Sequence, residues 1–244
     1  MAILGIDTST AIASVALVEM GKVVCEEIQQ AGSKTNGTSH ANHAETLLPL
    51  IDGILKKASL PLSELSAIAL SIGPGSFTGL RIGLSTVKGL AYGSNISVVG
   101  ISTLLATAAR AKGWDGLACP FLDARKKEVY AALFRKKGES LERLTEDLVA
   151  PHRKIVELVL SRANQERCLF IGDGTKTYGD VLTMALGEKC VLTLGEDYPS
   201  TASAVARLAE ERLRGEPSDP VGPLSPLYLR PSEAELKRLK QDAQ

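Results

Sequence analysis

Residues 73–83 read GPGSFTGLRIG, and they stand between a continuous apolar run, 67–72, and a stretch of helical spacing, 80–92. An apolar run closed by glycines and followed by such a stretch is a strand-to-helix turn. Glycine adopts torsions closed to other residues, and the start of a helix offers free N–H groups suited to an anion. No Lys-Ser or Lys-Thr follows, however, so the segment is not a P-loop, and it does not spell G-x-G-x-x-G either. On chemistry alone the tight turn outweighs the phosphate cradle, in which Gly73 and Gly75 would be the contacts.

Upstream, three short strand-like runs at 2–6, 14–18 and 23–28 predict an antiparallel meander, with Met20-Gly21-Lys22 as a hairpin connection. The first run leads into Asp7-Thr8-Ser9-Thr10. An Asp with hydroxyl residues is a routine turn, and also the composition of a first phosphate loop in an ATPase, with Asp7, Thr8 and Ser9 as contacts. Residues 30–42 are polar and read as a mobile loop. A helix is expected over about 44–57, because Leu47, Leu48, Ile51, Ile54, Leu55 and Ala58 form one stripe. Asn42 and Glu45 suit a capping box, and Pro49 should kink the helix unless it starts later.

Downstream, a strand at 97–101 and a helix at about 102–112 continue the alternation. The second half repeats the theme. Runs at 117–122 and 128–134 read as paired strands joined through 123–127. A helix near 152–162 leads to strand 168–171, turn Gly172-Asp173-Gly174 and a further helix. The helix at about 201–214 stops at Gly215, and 216–226 holds four prolines, as an extended connector would. The expected fold class is therefore α/β, with two lobes, 1–105 and 106–215, and a tail, 216–244. In each lobe a central mixed sheet would be covered by helices.

Composition narrows the function. Of 244 residues 28 are Lys or Arg and 28 are Asp or Glu, so the formal charge is zero. A protein that holds nucleic acid unaided carries excess positive charge. The clusters Arg125-Lys126-Lys127 and Arg135-Lys136-Lys137 read as solvated surface. The four cysteines, Cys25, Cys119, Cys168 and Cys190, lack CxxC spacing and read mostly as small buried thiols in a reducing compartment. Neither a signal peptide nor a bilayer-length apolar run is evident, so the expected address is the cytoplasm, with no membrane. His40, His43 and Glu45 fall short of a metal site, because a third strong ligand is missing and His152 is remote in sequence. No metal is expected. No G-x-S-x-G elbow and no H-E-x-x-H motif occurs.

Taken together, ILGIDTST at 3–10, HAETLLPLID at 43–52, IGPGSFTGLRIGLSTVKGLA at 72–91 and DARKKEVYA at 123–131 resemble the bacterial TsaB family, formerly called YeaZ. Leu227-Tyr228-Leu229-Arg230 is similar to that family's C-terminal YLR. The middle of the second lobe resembles it only in general pattern.

The resemblance implies an actin-like (ASKHA) ATPase fold with duplicated lobes, shared with TsaD and with sugar kinases. TsaD transfers threonylcarbamoyl to the adenosine beside the anticodon of tRNA. TsaB proteins are its non-catalytic paralogues, and TsaE, a P-loop ATPase, joins the pair. Carried onto this chain, the pairing helices are about 44–58 and 80–92. The candidate partner residues are Leu47, Leu48, Ile51, Ile54, Leu55, Leu80, Arg81, Leu84, Val87, Lys88 and Ala91. The vestigial nucleotide contacts are Asp7, Thr8, Ser9, Gly73, Gly75, Gly172 and Gly174. No cofactor of its own is expected, though a nucleotide could lodge at the joint surface, isolated copies could pair, and tRNA contact would be indirect.

Departures from TsaD weigh against catalysis. The chain lacks its HxxxH pair, and Asp173 stands where that enzyme has a Gly-Gly-Val-Ala turn. A carboxylate there disfavours a phosphate. The competing expectations are an actin-fold phosphotransferase and a metallopeptidase.

Overall fold

The computed structural model of the protein describes residues 1–30, 43–193 and 200–230. The expected loop at 30–42, His40, Asn42 and its capping role fall almost wholly outside them.

The N-terminal meander forms as expected from β1 (Ala2–Asp7), β2 (Ile12–Glu19) and β3 (Lys22–Gln30), paired antiparallel. Met20 and Gly21 both take left-handed torsions, which match a two-residue hairpin to the twist of its strands. Next come α1 (His43–Lys57), β4 (Ala67–Gly73), α2 (Phe77–Ser94) and β5 (Ser97–Ser102). α1 runs through Pro49 rather than starting after it. The sheet order is β3-β2-β1-β4-β5, with β1, β4 and β5 parallel.

Beyond α3 (Thr103–Ala109) the pattern recurs, with β6 (Gly116–Asp123), β7 (Glu128–Ala131), β8 (Phe134–Lys137), β9 (Ser140–Arg143) and β10 (Leu148–Pro151). α4 (His152–Arg162), β11 (Cys168–Ile171), α5 (Gly174–Leu186), β12 (Cys190–Leu192) and α6 (Ala202–Arg212) complete the elements. The second sheet runs β10-β7-β6-β11-β12, with β8 and β9 attached as a hairpin through β6. Both sheets place two antiparallel neighbours on one side of the central strand and two parallel ones on the other. The duplication is thus visible in connectivity. Asp7 ends one central strand, and Asp123 ends the other.

Two sequence expectations change. The single strand expected over 128–134 breaks after Ala131, and the chain turns away as β8 to pair with the other part of β6. The basic run 135–137 is therefore strand rather than free surface. Arg135 pairs with Glu142 and Glu166, and Lys136 points inward, where it is buried. The other change concerns α6, which the sequence partition assigned to the second lobe. Its Val205, Ala206 and Ala209 pack against Ile3, Ala67 and Val99 of the first sheet. A side chain at Gly5 would strike Ala202 O at 2.1 Å, so the backbones of β1 and α6 touch directly.

On the opposite face of the first sheet, Leu47, Ile51 and Ile54 of α1 and Leu84, Val87 and Ala91 of α2 close one core. The second sheet is covered by Ile155 and Val159 of α4 and Leu182 and Leu186 of α5. α3 lies between the lobes: Ala106 joins the first, while Leu104 and Ala108 pack on β6 and β11 of the second. All four thiols are free. Three are buried, and desolvation holds Cys168 well above the ordinary range.

Candidate functional site

The turn at 73–79 and the loop at 7–10 meet at the ends of β4 and β1. Asp7 is almost wholly buried, and both its oxygens are engaged. Oδ1 accepts from the Ser9 N–H at 2.8 Å, and Oδ2 accepts from the Thr201 hydroxyl ahead of α6. The Thr8 hydroxyl donates to Gly79 O at 2.7 Å, and Ser76 N–H donates to Ser9 O at 2.6 Å. Ser76 then caps α2 by accepting from the Gly79 N–H at 3.2 Å. One of the free N–H groups in the first turn of α2 is thereby taken by its own cap. His43 Nε2 donates to Thr10 O at 2.8 Å, which fastens the loop to α1. His43 is thus a packing residue at this junction, and His40 lies outside the described residues.

The glycines are explained by the same packing. A Cβ on Gly75 would lie 2.3 Å from Ser9 O, and one on Gly79 would lie 2.0 Å from Thr8 O. At Gly73, whose φ is +121°, it would lie 2.6 Å from Leu227 O. Carbonyl oxygens occupy the space that a side chain would need at each of these positions. The second-lobe turn repeats this: Gly172 and Gly174 lie against Phe121 O, at 2.6 and 2.8 Å from their added Cβ positions. Asp173 accepts from the Asp123 N–H at 2.9 Å. The Asp173 carboxyl is raised above its ordinary value by desolvation, opposed by that hydrogen bond, although its side chain is exposed at the surface. In both lobes the turn glycines are thus required by close backbone packing. Arg125, Lys126 and Lys127 stay exposed, in three consecutive left-handed torsions.

The candidate partner residues separate into three groups. Leu47, Ile51, Ile54, Leu80, Leu84, Val87 and Ala91 are core, between 0 and 8% exposed, and cannot be a surface of this chain. A helical apolar stripe is first of all the stripe that faces its own sheet. Leu48 is 52% exposed on the outer side of α1, whereas Leu55 is half-buried at the edge of the first-lobe core. Arg81 and Lys88 do point outward, but onto the C-terminal tail. Arg81 Nε donates to the Tyr228 hydroxyl at 3.0 Å and its guanidinium lies 3.8 Å from the Phe77 ring centre, while Lys88 donates to Gly222 O at 2.7 Å.

That tail is a strap rather than a free connector. Asp219 bridges β5 at Val98 and accepts from Gly100 N–H and from Arg212 at 2.6 and 3.0 Å. Leu227 N–H donates to Ile72 O at 2.7 Å, and Tyr228 stacks on Phe77. Arg230 then reaches the second lobe, donating to Glu128 at 3.1 Å and to Ala124 O at 2.6 Å. The YLR run signalled Arg230 in the sequence. Nothing local signalled Thr201, Arg212 or Asp219, whose partners lie on other elements.

The chain matches over residues 29–238 the family model described as "TsaD: tRNA N6-adenosine threonylcarbamoyltransferase". It is 31% identical over 237 residues to the tRNA threonylcarbamoyladenosine biosynthesis protein TsaB of Bacillus subtilis, covering 97% of both chains. Among solved structures, YeaZ from Pseudomonas aeruginosa superposes with a TM-score of 0.75 at 28% identity, covering 93% of this chain and 99% of that one. Component A of (R)-2-hydroxyglutaryl-CoA dehydratase from Acidaminococcus fermentans matches with a TM-score of 0.51 at 12% identity, covering 88% and 99%, a likeness of fold alone. The two lobes, built on sheets of the same connectivity with α3 and α6 between them, are the actin-like ATPase fold. With this likeness running the length of both chains, the protein belongs to the TsaB (YeaZ) family, within the broader group that the TsaD model describes.

Proposed function

We propose that the chain is a non-catalytic subunit in the synthesis of threonylcarbamoyladenosine on tRNA, which pairs with TsaD and helps TsaE to dock. One observation carries the non-catalytic part: the Asp7 loop and the 73–79 turn are closed on each other. A working ATPase of this fold needs an open carboxylate beside the metal-bound water, whereas Asp7 is held by Ser9 and Thr201. The likeness to the TsaB of Bacillus subtilis along the whole chain supports the pathway.

The pairing surface is the outer side of α1 and α2. Leu48, Asp52 and Leu55 recur at helical spacing on α1, and Ser85, Gly89 and Tyr92 do so on α2, where Tyr92 is 70% exposed and Gly89 has open space above it. Small residues let a partner helix approach closely, and exposed large apolar ones mark a contact. Formal neutrality fits tRNA contact made through the partner, and any nucleotide of the assembly would sit at the joint surface.

The test is reconstitution with TsaD and TsaE from the same organism. Given tRNA and threonylcarbamoyl adenylate as donor, modified tRNA should form with all three proteins and not when this chain is left out, and the chain alone should turn over no nucleotide. Steady nucleotide or peptide hydrolysis by the purified chain would favour a phosphotransferase or a metallopeptidase and refute the proposal.

A further inference from the structure

On the side of the molecule built from α3, α6 and the β8–β9 hairpin, a cavity of about 720 Å³ spans both lobes. That is within the range of about 300–1,000 Å³ that ligand pockets occupy. It shares no lining residue with the loops at 7–10, 73–79 or 172–174. Leu105, Leu141, Ala204 and Leu208 give it an apolar wall.

Its lining mixes cations and carboxylates, and its most deeply buried charge is positive. Lys136 is only 5% exposed; its ammonium donates to Gly138 O and meets no carboxylate among the described residues. A buried ammonium satisfied by one carbonyl retains two donors and an uncompensated charge, a costly arrangement unless an anion completes it. Arg207, half-buried in the same lining, is in no ion pair with the described residues and donates its Nε to Gly21 O, while Lys112 is exposed at the rim. The acids of the lining are placed otherwise. Glu139 and Glu211 are exposed, and Glu26 is already held by the Ser200 hydroxyl and the Ser203 N–H.

We propose that this interlobe cavity binds a small organic anion, a carboxylate or phosphate head on an apolar body of a few carbons. The head sits against Lys136 and the body against Leu141 and Leu208. Because the hairpin belongs to the second lobe and α6 to the first, the ligand touches both.

The full-length ¹⁵N-labelled chain, held at constant ionic strength with chloride, is titrated separately with sodium hexanoate and with sodium phosphate. Saturable shifts are expected at the amides of Ser140, Leu141, Ala204 and Leu208. Lys136→Met, of similar length without the charge, should weaken binding at least about tenfold. Lys56→Met, an exposed control on α1, should bind as the wild type does. If Lys136→Met does not fold, Leu141→Trp, which fills the cavity, decides in its place by abolishing the shifts. Saturation by either probe names the head group and upholds the site. Saturation by neither, or equal binding by the deciding variant, overturns it.

Discussion

Three glycines on one helix, α2, separate the packing account of the 73–83 segment from a phosphate-cradle account. At Gly79 an added methyl would stand 2.0 Å from Thr8 O, whereas carbon contacts settle near about 3.5–4 Å. The clash is with backbone, so the two loops must move apart by more than about 1 Å. That movement breaks the bonds from Ser76 N–H to Ser9 O and from the Thr8 hydroxyl to Gly79 O, at about 1 kcal/mol each. Overpacking adds about 1–3 kcal/mol, for a total of about 3–5 kcal/mol. In a protein of this size each kcal/mol moves Tm by about 2–4 °C, so Gly79→Ala should lower it by about 6–20 °C. At Gly83 the methyl would stand 2.4 Å from Oγ1 of Thr8, a buried β-branched side chain that can give way only by turning against its neighbours. Gly83→Ala therefore loses one bond of about 1 kcal/mol and adds overpacking of about 1–3 kcal/mol, offset by about 1 kcal/mol of helix propensity, and should destabilise by about 1–3 kcal/mol, less than Gly79→Ala. Gly89 has nothing within 4 Å, so Gly89→Ala should stabilise by about 0.5–1 kcal/mol. Urea and thermal unfolding followed by circular dichroism read all three. If Gly79→Ala unfolds like Gly89→Ala, the loops are not packed on each other and the closure of Asp7 loses its support.

Leu84, 8% exposed, and Leu48, 52% exposed, should respond differently to glutamate. Leu84→Glu should cost several kcal/mol and unfold the chain, while Leu48→Glu should change stability by under about 0.5 kcal/mol and weaken capture by TsaD in a pull-down; the reverse pattern would place α1's outer side in the core. For Asp219, burial acts to raise the carboxyl, but the Arg212 hydrogen bonds and the Gly100 N–H outweigh it and hold the group below the ordinary value. A depressed folded value means stability that is present above the unfolded aspartate range, near about 4, and lost as pH falls through the folded value. Asp219→Asn should cost about 1–3 kcal/mol at pH 7 in urea melts, and the gap to wild type should narrow on acidification; a gap constant with pH would refute the pairing. Arg230→Ala should destabilise by about 1 kcal/mol and speed hydrogen exchange at the Leu227 amide, and unchanged exchange would show that the strap holds without it.

What the sequence disclosed was local. The meander, the hairpin at Met20-Gly21 and the strand–turn–helix at 67–92 are each dictated by residues within a few positions of one another. The fate of an apolar stripe is not local. Leu47, Ile51 and Ile54 on α1 and Leu80, Leu84 and Val87 on α2 look alike whether a partner or the chain's own sheet covers them, and here the sheet does. The placement of α6 failed for the same reason. Val205, Ala206 and Ala209 announce a buried face, but only the fold reveals that β1, almost two hundred residues earlier, receives it. Lys136 misled through its neighbours, because Arg-Lys-Lys reads as surface until strand alternation turns the middle residue inward.

The duplication gives the two lobes matching ends, and the chain satisfies both from within itself. Asp7, at the end of β1, is held by Ser9 and Thr201, and the turn opposite is filled by Ser9, Thr8 and Leu227 carbonyls. Asp123, at the end of β6, accepts from the Arg125 N–H and gives its own N–H to Asp173. The turn beside it is filled by Phe121 O. Residues 227–230 then cross from one lobe to the other, meeting Ile72 and Phe77 in the first and Glu128 and Ala124 in the second. In a working ATPase of this fold the lobes are joined through the nucleotide they share. Here α3, packed on both sheets, makes another connection between the lobes. The glycine turns are sites of close backbone packing, and the outer sides of α1 and α2, with the strap laid along α2, form the surface proposed for pairing.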